Sequence, residues 1–265
     1  MTAHTVHSRG RDWFERLTGA TTGPIGSVLS AEADLHGEPA RFLAVVPDPA
    51  GKFPRARGGE VGLEEGWNLA AEIHTIVAAD TDRETKRPII AVVDVPSQAY
   101  GYREELIGLH QALAGAAGAY ATARLAGHPV VALVVGKAIS GAFLSHGLQA
   151  NRLVALDDQA VEVQVMSKEA TARITRRTIA ELDEAAKKVP ATAYDGASFA
   201  KLGAVHRLLP GDADTTMVRE ALAEAVADAR TGPRDLSSRL ASPEALRSRA
   251  ASIEVRRRLA AAWQD

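Results

Sequence analysis

Short runs of branched apolar residues alternate along this chain with longer segments that are rich in alanine and leucine. The short runs have the length and the valine and isoleucine content of buried strands, whereas the longer segments have the length of helices. Strands are predicted at 41–46, 89–95, 130–135, 153–156, 161–166 and 205–209. Helices are predicted at 63–79, 104–126, 141–150, 167–173, 198–202 and 215–230. The alternation predicts an α/β fold in which helices cover the faces of a sheet.

The chain is long enough for one sizeable core with appendages, since it has 265 residues. We expect an N-terminal extension over residues 1–37, a core domain over 38–232 and a C-terminal helical segment over 233–265. The last segment contains a helix start, because Ser242 is a suitable N-cap and Pro243 fits the first helical position. Three prolines and four glycines predict a loop at 47–62, which can fold over a site.

Charge and composition exclude several classes of function. The formal net charge is -2, so nothing in the overall charge favours nucleic acid or an anionic membrane as a partner. The absence of cysteine excludes disulfides, thiolate catalysis and cysteine-based metal sites. The N-terminus lacks the apolar stretch of a signal peptide, and the longest apolar runs are strand-sized. We therefore expect a cytoplasmic protein without nucleic-acid or membrane partners.

Two junctions between a strand and a helix carry the chemical signal: IIAVVDVPSQAYGYREE, which begins at residue 89, and VVALVVGKAISGAFLSHG, which begins at residue 130. In the second junction, Gly136 ends the strand and small residues open the next helix. Their size leaves the Gly141 and Ala142 amides free to point at a ligand, as at other anion and oxyanion sites. The alternative is that small residues only allow the helix to pack closely on the strand.

The sequence does not match the motifs of three other kinds of functional site. Ala138 follows Gly136 and Lys137 where a phosphate-binding loop needs serine or threonine. Ser140 does not stand in the G-x-S-x-G pattern of a nucleophile elbow. The eight histidines are scattered and show no H-E-x-x-H spacing, so no metal site is expected.

The order of these segments carries a resemblance to a known family. The stretches DVPSQAYG, GHPVVALVVGKAISGA, NRLVALDD and VEVQVMSKEA resemble, in this order, the carboxyltransferase branch of the crotonase superfamily. The likeness covers roughly residues 40–210. The segment GKAISGAFLSHGLQANRLVALDDQAVEVQVMSKEATARITRRT is most similar in sequence to the gamma subunit of biotin-independent malonate decarboxylase.

This resemblance implies a crotonase-like, carboxyltransferase-type fold, a repeated β-β-α spiral with flanking helices. It implies that the chain and a beta subunit together form the site that decarboxylates a malonyl thioester through an amide-stabilised enolate. No cofactor would be bound covalently in this chain, because the substrate travels on the phosphopantetheine-type group of an acyl-carrier protein. The implied partners are the beta subunit, the acyl-carrier protein subunit and a malonate/acetyl transferase subunit.

The candidate site residues follow from the two junctions and the resemblance. The candidate catalytic residues are Ser140, Gly141, Ala142 and Tyr100. The candidate substrate-binding residues are Gly136, Lys137, Ser97, Gln98, Ala99 and Gly101. Tyr100 or Ser140 can position or protonate the carbanion, or can be structural hydrogen-bonding groups. Lys137 can attract the substrate carboxylate or can be a surface lysine, and His146 is expected to be structural.

The sequence departs from the wider family in ways that bear on function. Ala138 and Ile139 replace two glycines of the family turn, which puts an acyl-coenzyme A carboxyltransferase activity in doubt. Residues 136–150 contain no Asp or Glu, although crotonase-type hydratases depend on glutamates. Two alternatives stay open: a subunit of a biotin-dependent carboxyltransferase or decarboxylase, and a non-catalytic scaffold for the beta subunit.

The C-terminal segment is rich in arginine. Residues 234–265 contain seven arginines against four acidic residues, and Arg256, Arg257 and Arg258 are adjacent. A solvated helix face explains this composition. The alternative is a docking patch for an acidic carrier protein or for the phosphate of its prosthetic group.

Overall fold

A computed structural model describes residues 6–263 of the chain, and its centre is one seven-stranded sheet. The strands are β1 (Val28–Leu35), β2 (Glu38–Val45), β3 (Ile89–Val95), β4 (Val130–Ile139), β5 (Arg152–Asp157), β6 (Glu162–Gln164) and β7 (Val205–Pro210). Their order across the sheet is β1-β2-β3-β4-β5-β7, and the short β6 pairs with the last residues of β4. Strands β1 and β2 form an antiparallel hairpin, whereas the other neighbouring strands run parallel.

Helices cover both faces of this sheet and extend beyond it. Among the described residues they are α1 (Arg9–Thr18), α2 (Leu63–Ala79), α3 (Tyr102–Leu106), α4 (Leu109–Leu125), α5 (Ser140–Ser145), α6 (Lys168–Thr175), α7 (Ile179–Lys188), α8 (Gly196–Ala200), α9 (Thr215–Thr231), α10 (Pro243–Ser248) and α11 (Ala250–Ala262). Helices α2 and α4 pack against each other, and α1 and α9 pack on the strands. The mixed α/β class is the predicted one.

Strands β3, β4 and β5 form the centre of the core. Every residue of β3 except Asp94 is buried, and every residue of β4 except Lys137 is buried. A parallel strand covered on both faces needs apolar side chains on both sides, which makes it a continuous apolar run in the sequence. The two exceptions lie near the carboxyl ends of their strands, where the sheet meets the candidate site.

The predicted elements agree with the structure in the core and differ at its edges. The predictions for α2 and β3 match both bounds. The prediction of a single helix at 104–126 is wrong. The helix is interrupted between α3 and α4, where Gly108 adopts a left-handed φ of 97°. Helices α1 and α7 and strand β1 were not predicted from the sequence. Strand β1 was not predicted because it is an edge strand whose residues are partly exposed and mix polar and apolar types.

The N-terminal residues take part in the core. In α1, Phe14 and Leu17 are fully buried and belong to the same apolar cluster as the strands. Strand β1 adds its residues to that cluster as well. The division of the chain at residues 37 and 232 stays an expectation about domain boundaries, and residues 1–5 and 264–265 of the two end segments lie outside the described residues.

The longest helices of the described chain, α2, α4 and α9, have 17 residues each. No helix within residues 6–263 is both long and apolar enough to cross a membrane. The cytoplasmic location stays a prediction.

We predict that truncating Leu17 to alanine lowers the free energy of unfolding by about 2–5 kcal/mol, because the side chain is completely buried between α1 and the sheet. The matched control is Leu259→Ala in α11, where the same side chain is 64% exposed. That substitution is expected to change the free energy of unfolding by less than about 0.5 kcal/mol. Urea unfolding measures both values. Equal effects would contradict the assignment of α1 to the core.

Candidate active site

Near its carboxyl end, β4 contains a β-bulge that changes the direction of the strand toward the candidate site. Val93 of β3 pairs with Val134, but Val95 pairs with Ala138, so three residues of β4 lie opposite the single residue Asp94. Such a bulge bends the strand and leaves backbone groups without ladder partners. It redirects β4 toward the turn at which α5 begins.

Asp94 fills this bulge. Its Oδ1 accepts the N–H of Lys137 at 3.0 Å, and its Oδ2 accepts the N–H of Gly10 in α1 at 3.0 Å. Gly136 must be glycine here, because a Cβ atom at this position would lie 2.1 Å from Asp94 Oδ1. Asp94 lies within the first junction motif but is not among the candidate site residues predicted from the sequence. A lone carboxylate near the end of an apolar strand was the available signal.

Helix α1 supplies the other partner of the bulge. The Arg9 Nε donates to the carbonyl oxygen of Val135, and its guanidinium pairs with Asp158 at 3.0 Å. The bulged backbone is therefore held through a carbonyl by Arg9 and through an amide by Asp94. The N-terminal helix thus supports the segment that leads into the candidate site.

The turn after β4 brings two predicted residues together with a third. Ser140 has a φ of 64°, in the left-handed region that a non-glycine residue occupies at a cost of roughly 1–2 kcal/mol. The N–H of Gly141 donates to Gln98 Oε1 at 3.0 Å, and the Ser140 hydroxyl donates to the same oxygen at 3.3 Å. The two donors thus converge on one oxygen atom.

The Gly141 amide was predicted to be free, and this detail is wrong. The side chain of Gln98 reaches it, because the segment after β3 is held beside the turn. Val61 fixes that segment by donating to Ser97 O at 3.1 Å and by accepting the N–H of Ala99 at 2.9 Å. In the structure, the Gly141 N–H and the Ser140 hydroxyl already donate to the neutral amide oxygen of Gln98.

The remaining predicted residues lie around this centre in different environments. Ala142 is fully buried behind the turn, and Ala99 is buried as well. The Ser97 hydroxyl donates to Gln98 O at 2.9 Å. Gly101 precedes α3 at a crowded point, since a Cβ there would lie 2.3 Å from a Glu104 oxygen. The roles assigned to these residues stay predictions.

Tyr100 and Lys137 both lie at the surface of the described chain. The Tyr100 residue is 62% exposed, and Lys137 is exposed at the edge of the sheet. Tyr102, Leu106 and Ile107 follow Tyr100 and are exposed to a similar degree. Large apolar side chains grouped in this way are typical of an interaction surface.

His146 has a structural role in the described chain. Its Nε2 lies 3.0 Å from the Val92 carbonyl oxygen, which can only accept, so Nε2 carries the hydrogen. Its Nδ1 accepts the Tyr120 hydroxyl hydrogen bond at 2.9 Å. Complete burial lowers the pKa of His146 to about 4, so the ring is neutral at physiological pH. This pair ties α5 to β3 and α4.

An apolar cavity of about 290 Å³ adjoins the turn. Ser140 and Gly141 form one wall, and Phe143, Val165 and Phe199 contribute apolar walls. No residue lining it, among the residues that the structure describes, carries a charge. A ligand part that enters this cavity therefore meets no counter-charge from the described residues that line it.

The C-terminal arginines are partly neutralised. Arg257 and Arg258 both donate to Glu254 at 2.8 Å. Helix α11 has no buried residue, and Leu259 is exposed on it. Both interpretations of this segment, a solvent-exposed helix face and a docking patch for a carrier protein, stay predictions.

No group of three or more His, Cys, Asp or Glu side chains within residues 6–263 is arranged to hold a metal ion. Two aligned hydrogen bonds in a partly buried site can stabilise an oxygen that gains negative charge during a reaction. The arrangement therefore suits chemistry through an enolate or a tetrahedral oxyanion.

Comparison with known families gives a match over most of the chain. The family model described as malonate decarboxylase gamma subunit matches residues 56–263. A curated relative, the malonyl-S-ACP:biotin-protein carboxyltransferase MADD of Malonomonas rubra, is 39% identical over 161 residues. That match covers 60% of this chain and 55% of the relative, so the chain spans about half the length of that protein.

Solved structures give the same family and the fold. A chain of a Pseudomonas malonate decarboxylase hetero-tetramer in complex with coenzyme A is 53% identical, with a TM-score of 0.89. A chain of the Pseudomonas MdcD-MdcE hetero-dimer is 53% identical, with a TM-score of 0.87. Both comparisons cover 97% of this chain and 100% of the other. The transcarboxylase 12S core shares the fold alone, at 19% identity and a TM-score of 0.63 over 84% of this chain and 40% of that chain.

We predict that Asp94→Asn loosens the bulge, because Lys137 N–H and Gly10 N–H bind different oxygens of Asp94 and the new NH₂ group replaces one of these two acceptors with a donor. Hydrogen exchange at the Lys137 or Gly10 amide should become roughly tenfold to 100-fold faster, as expected for a loss of about 1–3 kcal/mol. Asp34→Asn is the control, because Asp34 accepts the Gly37 N–H in a hairpin turn where asparagine serves equally well. Unchanged protection of both amides would disprove the role of Asp94.

Proposed function

Because the chain belongs to the family of malonate decarboxylase gamma subunits, we propose that it forms, with a beta subunit, a site that decarboxylates a malonyl thioester. The observation that carries the mechanism is the convergence of the Gly141 N–H and the Ser140 hydroxyl on one oxygen. The family predicted from the sequence is confirmed, and so is the crotonase-like carboxyltransferase fold.

The proposed reaction breaks the bond between the carboxylate carbon and the α-carbon of the malonyl group. Carbon dioxide leaves, and the bonding electron pair forms an enolate whose charge lies largely on the thioester oxygen. The α-carbon then takes up a proton and gives the acetyl thioester. One well-placed hydrogen-bond donor to such an oxygen contributes roughly 3 kcal/mol to the stability of the transition state.

In this mechanism the thioester oxygen takes the place of Gln98 Oε1. The amide oxygen of Gln98 marks where an acceptor fits, and a side chain can rotate away when the substrate arrives. The left-handed conformation of Ser140 and the bulge at Asp94 hold the donors in place before the substrate binds. Such preorganisation favours the charge that develops in the transition state.

The proposed partner is the beta subunit, which would complete the site. The related Pseudomonas chains were solved in a hetero-dimer and in hetero-tetramers. The exposed apolar residues Tyr100, Tyr102, Leu106 and Ile107 follow Gln98 directly and provide a surface for such a partner. The malonyl group would arrive on the phosphopantetheine-type arm of an acyl-carrier protein, which is loaded by a transferase subunit.

A second candidate function is carboxyl transfer to a biotin protein. The observation that favours it is the similarity to MADD, which is described as a malonyl-S-ACP:biotin-protein carboxyltransferase. Both reactions begin with the same enolate, so the turn at Ser140 serves either one. They differ in whether the carboxyl group leaves as carbon dioxide or is passed to biotin.

The deciding experiment co-expresses the chain with its beta subunit and measures carbon dioxide released from a malonyl thioester. We expect turnover by the pair without added biotin and no inhibition by avidin. The isolated chain is expected to be inactive. Turnover that requires a biotin protein, or that avidin abolishes, would favour the second candidate function. A pair that assembles but has no activity in either assay would favour the scaffold alternative.

We predict that Gly141→Ala in the assembled pair lowers kcat on the order of 100-fold. The new Cβ would lie 2.1 Å from Gln98 Oε1, in the space that the thioester oxygen is proposed to occupy. The control is Gly118→Ala in α4, where a Cβ meets nothing within 4 Å. Size-exclusion chromatography verifies assembly before the kinetics. Near-normal kcat for Gly141→Ala in an intact complex would exclude this turn as the oxyanion site.

A further inference from the structure

The apolar cavity beside the turn at Ser140 extends from the interior of the protein to its surface. Its buried part contains the ring of Phe143, which is 4% exposed and lies edge-to-face against the ring of Phe199, with 6.2 Å between the ring centroids. Leu144 and Val165 also line the cavity, and they are 52% and 71% exposed. Since the lining reaches the surface, a ligand can enter.

The side chains of this cavity offer almost no free polar partner to a ligand. Among the described residues that line it, Ser140 and Gln164 have the only polar side chains. Gln164 Nε2 donates to the carbonyl oxygens of Ala191 and Ala193 at 3.3 Å and 3.1 Å, and its Oε1 accepts a main-chain N–H at 2.9 Å. The Ser140 hydroxyl donates to Gln98. A charged or polar group would therefore lose its water here without compensation, whereas burial of a hydrocarbon group is favourable.

The cavity begins at the two residues that carry the proposed oxyanion donors. Ser140 and Gly141 both line it. Their donors lie 3.3 Å and 3.0 Å from the Gln98 side-chain oxygen, whose place the thioester oxygen is proposed to take. The α-carbon of a bound thioester lies only two bonds from that oxygen. A substituent of a few carbons on the α-carbon is therefore within reach of the cavity.

Two parts of a malonyl thioester are unsuited to this cavity. The carboxylate would meet no counter-charge among the described residues that line it. The pantetheine-type arm carries amides, which need hydrogen-bond partners when they are buried. The remaining positions on the α-carbon hold hydrogen atoms, which are too small to fill the cavity. An alkyl group in place of one of these hydrogens would match the apolar lining.

We propose that this cavity binds an alkyl substituent on the α-carbon, so that the site accepts 2-alkylmalonyl thioesters in addition to the malonyl thioester. The inference rests on the proposed decarboxylation and widens the substrate class of the same site. The volume is sufficient, because a cavity of about 150 Å³ lined by similar side chains holds a benzene molecule in another protein. The present cavity, of about 290 Å³, has room for a butyl group.

The reaction of such a substrate follows the same steps as that of the malonyl thioester. The bond between the α-carbon and the carboxylate carbon breaks, carbon dioxide leaves, and the bonding electron pair forms the enolate. A proton from water is then taken up at the α-carbon, which keeps its alkyl group. A 2-butylmalonyl thioester thus gives a hexanoyl thioester, and the alkyl group stays in the cavity throughout.

The first test measures kcat/KM for the malonyl, 2-methylmalonyl and 2-butylmalonyl thioesters of pantetheine, with the chain co-expressed with its beta subunit. Each methylene that enters the cavity should raise kcat/KM by up to about fourfold. Ala191→Leu fills the cavity from an exposed position and should lower the ratio of the 2-butylmalonyl to the malonyl value at least about tenfold. Ala180→Leu is the matched control, because Ala180 is exposed on α7 outside the cavity. A pair that decarboxylates the malonyl thioester but not the 2-butylmalonyl thioester would overturn the inference and leave the proposed function intact.

The second test needs no turnover, because it measures binding of the reaction products by isothermal titration calorimetry. Hexanoyl-pantetheine should bind to the same complex at least about tenfold more tightly than acetyl-pantetheine. Ala191→Leu should remove this difference, and Ala180→Leu should keep it. If thermal unfolding shows that Ala191→Leu is misfolded, Val165→Phe replaces it, since Val165 also lines the cavity and is 71% exposed.

The binding result separates the two proposals. The expected pattern in a complex that does not decarboxylate the malonyl thioester would reject the proposed reaction and keep the ligand class of the cavity. Equal affinities for the hexanoyl and acetyl thioesters, or a difference that neither cavity-filling variant reduces, would overturn the inference in an active or an inactive complex alike.

Discussion

The pairing of β3 with β4 determines where the chemical groups of this protein lie. The two strands run in register from Ile89 and Val130 until the ladder shifts at Asp94. Three residues of β4 then oppose one residue of β3, and the unpaired backbone groups need partners inside the fold. Asp94 and Arg9 provide them. Because this bulge bends β4, Ser140 and Gly141 lie beside Gln98. The position of their two hydrogen-bond donors therefore depends on a local irregularity in an otherwise regular sheet.

The sequence allowed the covered strands and the turn to be predicted, and the reason is physical. A parallel strand such as β3 is apolar on both faces, so it appears as an unbroken run in the chain. The small residues at Gly141 and Ala142 likewise indicated the turn that follows β4. The partners of that turn were not predictable in the same way. Whether Gln98 or Asp94 faces it depends on the register between segments that are 43 residues apart in the chain, which no local pattern encodes.

The electrostatics around the turn at Ser140 bear on the proposed chemistry. Near Ser140 the donors are neutral, and no charged residue of the described chain lines the adjoining cavity. A permanent cation there would stabilise the malonyl carboxylate before reaction and would raise the barrier to its loss. Neutral donors respond mainly to charge that appears on the thioester oxygen.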